Sequence, residues 1–280
     1  MSQKSYNGTA SLYLIPTPIG NLDDITVRSL KTIEMVDFLL CEDTRETGKL
    51  LNHFHIQKKL VSCHEYNETK IKDYVISELS RGKTIGLVSD QGSPIVSDPG
   101  YIVVRAVIEA GYNVISLPGA TAFVPALTSS GIEPSPFLFY GFFQPKEGKQ
   151  RKELELLKRV PYTMIFYESV HRIERTLTNM LDILGNRNIS IHREISKLYE
   201  EIYRDRISNL IPIVGELKGE FVIIVEGNKE VTDYSNVSIL EHIQIYLDDG
   251  MSEKDAIKLV AKERGVAKSI IYKEYHQDKM

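Results

Sequence analysis

The sequence predicts an α/β protein, with two α/β units in series and a small helical domain after them. Three observations carry this. Short apolar runs alternate with amphipathic stretches through the first half, the order that builds a mainly parallel sheet. A second alternating series starts near Glu133-Pro134-Ser135-Pro136. After Gly227 the composition turns polar, and the remainder has only helical periodicity. A length of 280 residues suits about two cored domains with a smaller appendage.

The elements follow in order. Met1 to Ala10 is polar and reads as a flexible tail. Ser11 to Pro16 is a strand. Thr26 to Met35 is a helix, with Asp23 or Asp24 near its N-cap. Asp37 to Cys41 is a strand and Glu46 to His53 a helix. Asn67 to Arg81 is a helix ended by Gly82, before the strand Thr84 to Val88. Tyr101 to Ala110 is a helix ended by Gly111, before the strand Asn113 to Leu117. Both glycines sit where helices commonly terminate in a left-handed residue. The second unit has strands at Phe137 to Tyr140, Thr163 to Tyr167, Ile189 to Arg193 and Phe221 to Val225, with a further strand at Tyr199 to Tyr203. Its helices are Arg151 to Arg159, His171 to Leu184 and Ser208 to Leu217. Asn228 to Asn236 reads as a linker. Three short helices end the chain, the central one at Ser252 to Arg264. Its Gly265-containing turn into Ser269 to His276 is a helix-turn-helix pattern. The expected domains are therefore 11–132, 133–228 and 229–280.

Composition narrows the function. A net charge of −4 gives no global attraction for nucleic acid, so any RNA-binding surface must be a local basic patch. Gln144 to Arg159 is one, with six Lys or Arg against three Glu. A solvated helix face would look the same. Cys41 and Cys63 are not in a CxxC spacing and read as reduced thiols of a cytoplasmic protein. Neither a signal peptide nor a membrane-spanning run stands out.

Several familiar motifs are missing. No two glycines are spaced as G-x-G, so the dinucleotide fingerprint is absent. Gly82-Lys83-Thr84 has Ser77 where a P-loop needs its first glycine. His53-x-His55 stands without a cluster of zinc-spaced ligands, so no metal is expected. What remains is a set of loops rich in Gly and Pro at strand ends: Pro16 to Leu22, Ser89 to Gly100, Leu117 to Ala122 and Gly141 to Pro145. The second is the richest, with two Gly, two Pro, two Asp and three Ser. Ligands bind at the carboxyl ends of strands in open α/β sheets. Loops converging from two units predict a cleft between them.

Leu12-Tyr13-Leu14-Ile15-Pro16-Thr17-Pro18-Ile19-Gly20-Asn21-Leu22-Asp23-Asp24-Ile25-Thr26 resembles the opening of the bacterial 16S rRNA (cytidine-2'-O)-methyltransferases, the ribosomal small subunit methyltransferase I family. Cys41-Glu42-Asp43-Thr44-Arg45, the Ser89 to Gly100 loop, Leu117-Pro118-Gly119-Ala120-Thr121, Phe166 to Arg172 and Lys218 to Val222 carry the same resemblance, in register from Leu12 to Gly227. It implies the tetrapyrrole methylase superfamily: two α/β domains, S-adenosylmethionine held in the cleft between them, and a homodimer. It also implies 2'-O-methylation of a decoding-centre cytidine in 16S rRNA of the small ribosomal subunit. Ring methylases of the superfamily often carry G-x-G-x-G at the first loop; Pro16-Thr17-Pro18-Ile19-Gly20 departs from that pattern and agrees with the rRNA branch.

The cofactor-binding candidates are Pro18, Ile19, Asp90, Gly92, Ser93, Val96, Thr121 and Ala122 from the first unit, with Phe166 and Tyr167 from the second. The catalytic candidates are Asp43, Glu168 and His171, with Asp90 and Asp98 weighed beside them as acids in polar loops. Glu168 and Arg172, four apart, would equally form an ion pair at a helix start. For RNA, Arg45 and Arg172 suit phosphate, and Lys146, Lys149, Arg151 and Lys152 form the basic patch. Phe142 and Phe143 are available to stack on bases. A tetrapyrrole ring methylase and a ligand-sensing DNA-binding regulator are the alternatives. The Pro16 to Leu22 loop and the added C-terminal helices weigh against the first, and the acidic balance of Tyr234 to Met280 against the second.

Overall fold

A computed structural model describes residues 3–5, 7–229, 237–248 and 250–277. They form two compact units, Met1–Gly227 and Asn228–Met280.

The first sheet is built from β1 (Ser11–Ile15), β2 (Phe38–Cys41), β3 (Lys59–Ser62), β4 (Ile85–Val88) and β5 (Asn113–Ser116). All four pairings are parallel, in the order β3-β2-β4-β1-β5. The central strands are apolar throughout because helices cover both faces. Those helices are α1 (Val27–Met35), α2 (Thr44–His53), α3 (Glu68–Ser80) and α4 (Tyr101–Glu109). One face buries Leu12, Leu40, Leu87 and Val107, and the other Ile15, Leu39, Val88 and Ile115.

Sequence periodicity misses β3. It is a four-residue edge strand, Lys59-Leu60-Val61-Ser62, with no fully buried position, so no apolar run marks it. The N-cap of α1 is Thr26, whose hydroxyl accepts from Ser29 N. Asp23 and Asp24, expected there, lie instead in a separate 3-10 turn capped by Asn21. In the N-terminal segment, Gln3 hydrogen-bonds both backbone groups of Val114 at the sheet edge.

From β5 the chain enters α5 (Phe123–Ser129) and then a second sheet. Its elements are β6 (Phe137–Phe142), α6 (Glu147–Leu157), β7 (Thr163–Ser169), α7 (Ile173–Leu184), β8 (Asn188–Arg193), β9 (Glu201–Arg206), α8 (Ile207–Val214) and β10 (Glu220–Val225). The order is β6-β7-β10-β8-β9, and only β6 and β7 run parallel. The β8–β9 connection is a short excursion without a helix, which forces antiparallel pairing. β9 begins at Glu201, two residues after the expected Tyr199, and α6 begins at Glu147, four residues before Arg151. One face of this sheet packs on α6, α7 and α8. The other receives Ala126 and Leu127 of α5.

The second unit holds α9 (Ile239–Asp248), α10 (Glu253–Glu263) and α11 (Lys268–Gln277), packed around Ile243, Ile257, Val260 and Ile271. Gly265, at φ 64°, makes the turn between the last two. Most of the linker expected at Asn228 to Asn236 lies outside the described residues.

Candidate functional site

In the first sheet β1 and β4 are neighbours, but their chains leave in opposite directions, to β2 on one side and β5 on the other. Such a switch point opens a crevice at the strands' carboxyl ends. The loops that leave there are bonded to each other. Thr17 N donates to Gly92 O at 2.9 Å, Gly92 N donates to Thr17 O at 3.0 Å, and Thr17 Oγ1 donates to Ser89 O at 3.1 Å. Gly92 sits at φ 79°, and a Cβ built there would lie 3.2 Å from the Ile19 side chain, so the position favours glycine. Within the same loop Ile95 (φ 76°) and Ser97 (φ 71°) occupy the left-handed region, where a β-branched residue is strained. The loop's exit is pinned by buried Glu68, whose carboxylate accepts from Gly100 N and Ile102 N, both at 3.0 Å.

The facing wall comes from the second sheet. Side chains alternate along β7. Met164 and Phe166 enter the core under α7, whereas Ile165 and Tyr167 point to the opposite face. Val222 of β10 shares that face with Tyr167. Phe142, half exposed, packs edge-on against the Tyr167 ring at 5.4 Å. Between the walls lies a cavity of about 450 Å³, within the range of small-molecule sites.

Of the expected cofactor residues, Ile19, Asp90, Gly92, Ser93, Val96, Thr121, Ala122 and Tyr167 line this cavity. Pro18 is buried and lies outside the lining. Phe166 is corrected: it is fully buried and stacks on Phe143 at 4.7 Å, turned away by the alternation that turns Tyr167 inward. Phe143 is likewise core, and no base can reach it.

Among the catalytic candidates, Glu168 adjoins the cavity but is fully occupied. Arg172 lies 2.7 Å from its Oε1, Ser169 N donates to Oε1 at 2.8 Å, and Thr176 Oγ1 donates to Oε2 at 2.7 Å. Arg172 also donates to Phe143 O at 3.1 Å. The helix-start ion pair is what forms, and Arg172 is an anchor of β7 to α7. His171 is exposed outside the cavity lining. Asp43 is the N-cap of α2 and is clamped by Arg45 at 2.6 Å; its backbone N–H donates to Asp90 Oδ1 at 3.1 Å. Arg45 is thus engaged by Asp43, though its side chain is exposed. Arg151 bonds Asn179 and Asp182 of α7. Lys146, Lys149 and Lys152 are exposed on α6 and its cap.

The residues that sequence reasoning missed are mostly on the second wall: Glu194, Lys197 and Glu220. Lys197 Nζ lies 2.8 Å from Glu220 Oε2 and 3.1 Å from Glu194 Oε1. Glu220 belongs to the quoted Lys218 to Val222 stretch, which marked the place but not the role.

The cavity is acidic. Burial pushes the Asp98 carboxyl up to about 7, with Glu42 and Asp90 adding repulsion. Burial also raises Asp90 and Glu42. Hydrogen bonds from Arg45 hold Asp43 well below the usual carboxylate range. No hydrogen bond or ion pair is seen for Asp98 among the described residues, and its ionised form would suit a positively charged group. Hydroxyls at Ser93 and Thr121, and apolar surface from Ile19, Val96 and Val222, complete a surface suited to an aminoacyl-nucleoside cation. Among the described residues no group of three or more His, Cys, Asp or Glu is placed to hold a metal ion. No described helix is long and apolar enough to cross a membrane.

Comparison with known proteins gives consistent results. The family profile for Tetrapyrrole (Corrin/Porphyrin) Methylases matches residues 11–211. The "Ribosomal RNA small subunit methyltransferase I" of Halalkalibacterium halodurans is 46% identical, over 99% of this chain and 99% of that one. The protein of the same name from Bacillus subtilis is 44% identical over 98% of each. Among solved structures, the methyltransferase CobJ superposes with a TM-score of 0.59 at 17% identity, over 79% of this chain and 95% of that one. The uroporphyrin-III C-methyltransferase of Thermus thermophilus, complexed with S-adenosylhomocysteine, superposes with a TM-score of 0.54 at 18% identity, over 78% and 97%. These two likenesses speak to the fold.

Proposed function

We propose a specific reaction for this chain, which belongs to the tetrapyrrole methylase family and, within it, to the ribosomal RNA small subunit methyltransferases I. It is an S-adenosylmethionine-dependent rRNA methyltransferase, and the reaction is methylation of the ribose 2'-oxygen of a decoding-centre cytidine in 16S rRNA. The observation that carries this is the near-full-length identity to relatives of that name, joined to the 2'-O-methyltransferase resemblance in the loops that line the cavity.

When bound, S-adenosylmethionine supplies an electrophilic methyl on a positively charged sulfur. The chain's own residues supply the rest. The Thr17–Gly92 bridge and the Glu68 clasp hold the loops rigid, so the acceptor and the methyl donor are positioned rather than collected from solution. Asp98 and Asp90 counter positive charge in the cavity. Tyr167, Val222 and Ile19 give the cavity apolar surface against which part of the cofactor can pack. Lys146, Lys149 and Lys152 offer a basic face for phosphates. Residues 11–132 and 133–228 serve as the two domains that carry the walls, and a homodimer is the proposed assembly.

The test is methyl transfer from tritiated S-adenosylmethionine to small subunits lacking the modification, followed by nucleoside analysis. Radioactive 2'-O-methylcytidine is the expected product. Transfer to a base, or activity only on a porphyrin precursor, overturns the reading.

A further inference from the structure

Beside the cofactor cavity lies a second, open depression of about 610 Å³, formed by Gly20, Asn21, Leu22, Asp23, His53, Ser196, Lys197 and Leu198. Lys197 is the residue common to both. It therefore stands between the inner cavity and the outer depression and borders both.

Much of the local structure serves to hold Lys197 there. Its loop carries Glu194 at φ 53° and Ser196 at φ 70°, two non-glycine residues in the left-handed region. Such strain persists only where the surroundings over-determine it, and it concentrates at functional sites. Two glycines make room for the pair. A Cβ at Gly20 would collide with the Lys197 stem, and one at Gly219 with the Glu194 carboxylate. Both have positive φ, 143° and 113°. Ser196 Oγ bonds Asp24 of the facing loop, tying the two rims together. Burial acts to lower the Lys197 ammonium, but Glu220 and Glu194 outweigh it and keep the group charged. Two carboxylates and a lysine arranged this way would be costly ornament for a wall that only packs.

The outer depression has its own chemistry. Leu198 is 89% exposed and Leu22 39%. With exposed His53 they offer a mixed apolar and imidazole surface, of the kind on which an unstacked base rests.

We propose that the acceptor nucleotide enters through this outer depression, its base against Leu198 and Leu22, and that Lys197 is a catalytic residue meeting its ribose 2'-oxygen. The assignment rests on the 2'-O-methylation reading above. The 2'-oxygen attacks the sulfonium methyl. The O–CH3 bond forms, the S–CH3 bond breaks, and its electron pair stays on sulfur as a neutral thioether. The ammonium of Lys197 donates a hydrogen bond to the oxygen as negative charge develops on it. The hydroxyl proton passes to Glu220, the more exposed of the two carboxylates, and from there to water. Charge that develops only in the transition state is where a fixed donor has most effect.

The test uses the full-length protein with small subunits as acceptor. Lys197→Met removes the ammonium and keeps an apolar stem against Gly20; Lys197→Arg restores a cation. S-adenosylhomocysteine affinity by calorimetry, and kcat and KM for subunits, are measured for each. Loss of a transition-state donor typically costs about 100- to 1,000-fold in kcat. Lys197→Met is expected to lose kcat on that scale with cofactor affinity within about threefold, and Lys197→Arg to recover at least tenfold of the loss. Leu198→Glu is expected to raise KM for subunits about tenfold with kcat within threefold, since it replaces an apolar contact by a negative charge facing a polyanionic acceptor. If Lys197→Met keeps kcat within fivefold, or loses cofactor affinity in step with activity, the catalytic assignment is overturned. An unchanged KM for Leu198→Glu overturns the entry route. A wild-type protein that leaves subunits unmethylated overturns the 2'-O reading and this assignment together.

Discussion

Replacing Arg172 by Met distinguishes two roles for one residue. The guanidinium lies 2.7 Å from a Glu168 carboxylate that is fully buried, and Arg172 itself is only 17% exposed. Screening by solvent is therefore weak, and removing one partner leaves a buried charge. Such breaks cost roughly 3–5 kcal/mol when nothing else satisfies the group. Here Ser169 N and Thr176 Oγ1 still reach the carboxylate, so the low end, about 3 kcal/mol, is expected. For a chain of this length that is a fall in Tm of roughly 6–10 °C. Replacing both residues, Glu168→Met with Arg172→Met, should recover most of the loss, because the desolvation cost of the pair disappears with it. Urea unfolding of the wild type, both single variants and the double variant closes the cycle. A Tm unchanged in Arg172→Met, with KM for subunits raised severalfold, would refute this reasoning and return Arg172 to the RNA-contact role that its position after Glu168 suggests.

Four further outcomes follow from the geometry. Asp98 is neutral below pH of about 7 and ionised above it, facing Asp90 and Glu42 on its own side and the Tyr167 phenol across the cavity. Affinity for S-adenosylmethionine, a sulfonium cation, should rise from pH 6 to pH 8 while affinity for the neutral S-adenosylhomocysteine does not; calorimetry showing the same rise for both would remove Asp98 from cation binding. Its folded pKa lies above the unfolded value, so its ionisation opposes folding as pH climbs from 4 to 7, and Asp98→Asn should stabilise the protein at pH 8 and not at pH 3. Gly20→Ala, at φ 143° and against Lys197, should cost stability by about 1–3 kcal/mol and lower kcat, measured by thermal melts and methyl transfer together. Glu68→Gln keeps the shape but loses charge on two N–H contacts; about 1–3 kcal/mol of stability and a weaker grip on S-adenosylhomocysteine are expected, and unaltered affinity would show that the loop needs no clasp.

The legible parts of this chain share one property: their signal is local. Glycines 82 and 111 end helices by their own conformational freedom, and both show positive φ. The cavity loops of the first sheet declare themselves because Gly, Pro, Ser and Asp crowd a strand end, so most of the residues named there do line the cavity. Phe166 and Tyr167 show the limit of that signal. Adjacent strand residues point to opposite faces, and choosing between them requires knowing which face α7 covers, a fact held by residues far along the chain. Glu168 and Arg172 were legible as a pair by spacing, but the hydrogen bonds that fix the pair in place come from the Phe143 carbonyl and the Thr176 hydroxyl. β3 stayed hidden because an edge strand needs little hydrophobicity.

Lys197 was hidden for a different reason, which bears on how the site is made. Nothing local distinguishes it from any lysine in a polar loop. Its position is set by Gly20 and Asp24 in the first loop and by Glu220 and Gly219 at the start of the last strand, segments about 175 residues apart at one end and about 20 at the other. The first sheet contributes rigid backbone: parallel strands, bonded loops, and a clasp at Glu68. The second contributes charged side chains from antiparallel strands, whose short connections place Glu194, Lys197 and Glu220 side by side. Of the five non-glycine residues with positive φ among the described residues, Ile95 and Ser97 lie in the loop of the first wall and Glu194 and Ser196 in the loop of the second. Strain placed on both rims of one cavity means that packing elsewhere must hold each rim against its own backbone preference. The well-packed cores under α4 and α7 provide that, so substitutions there should impair methyl transfer before they unfold the chain.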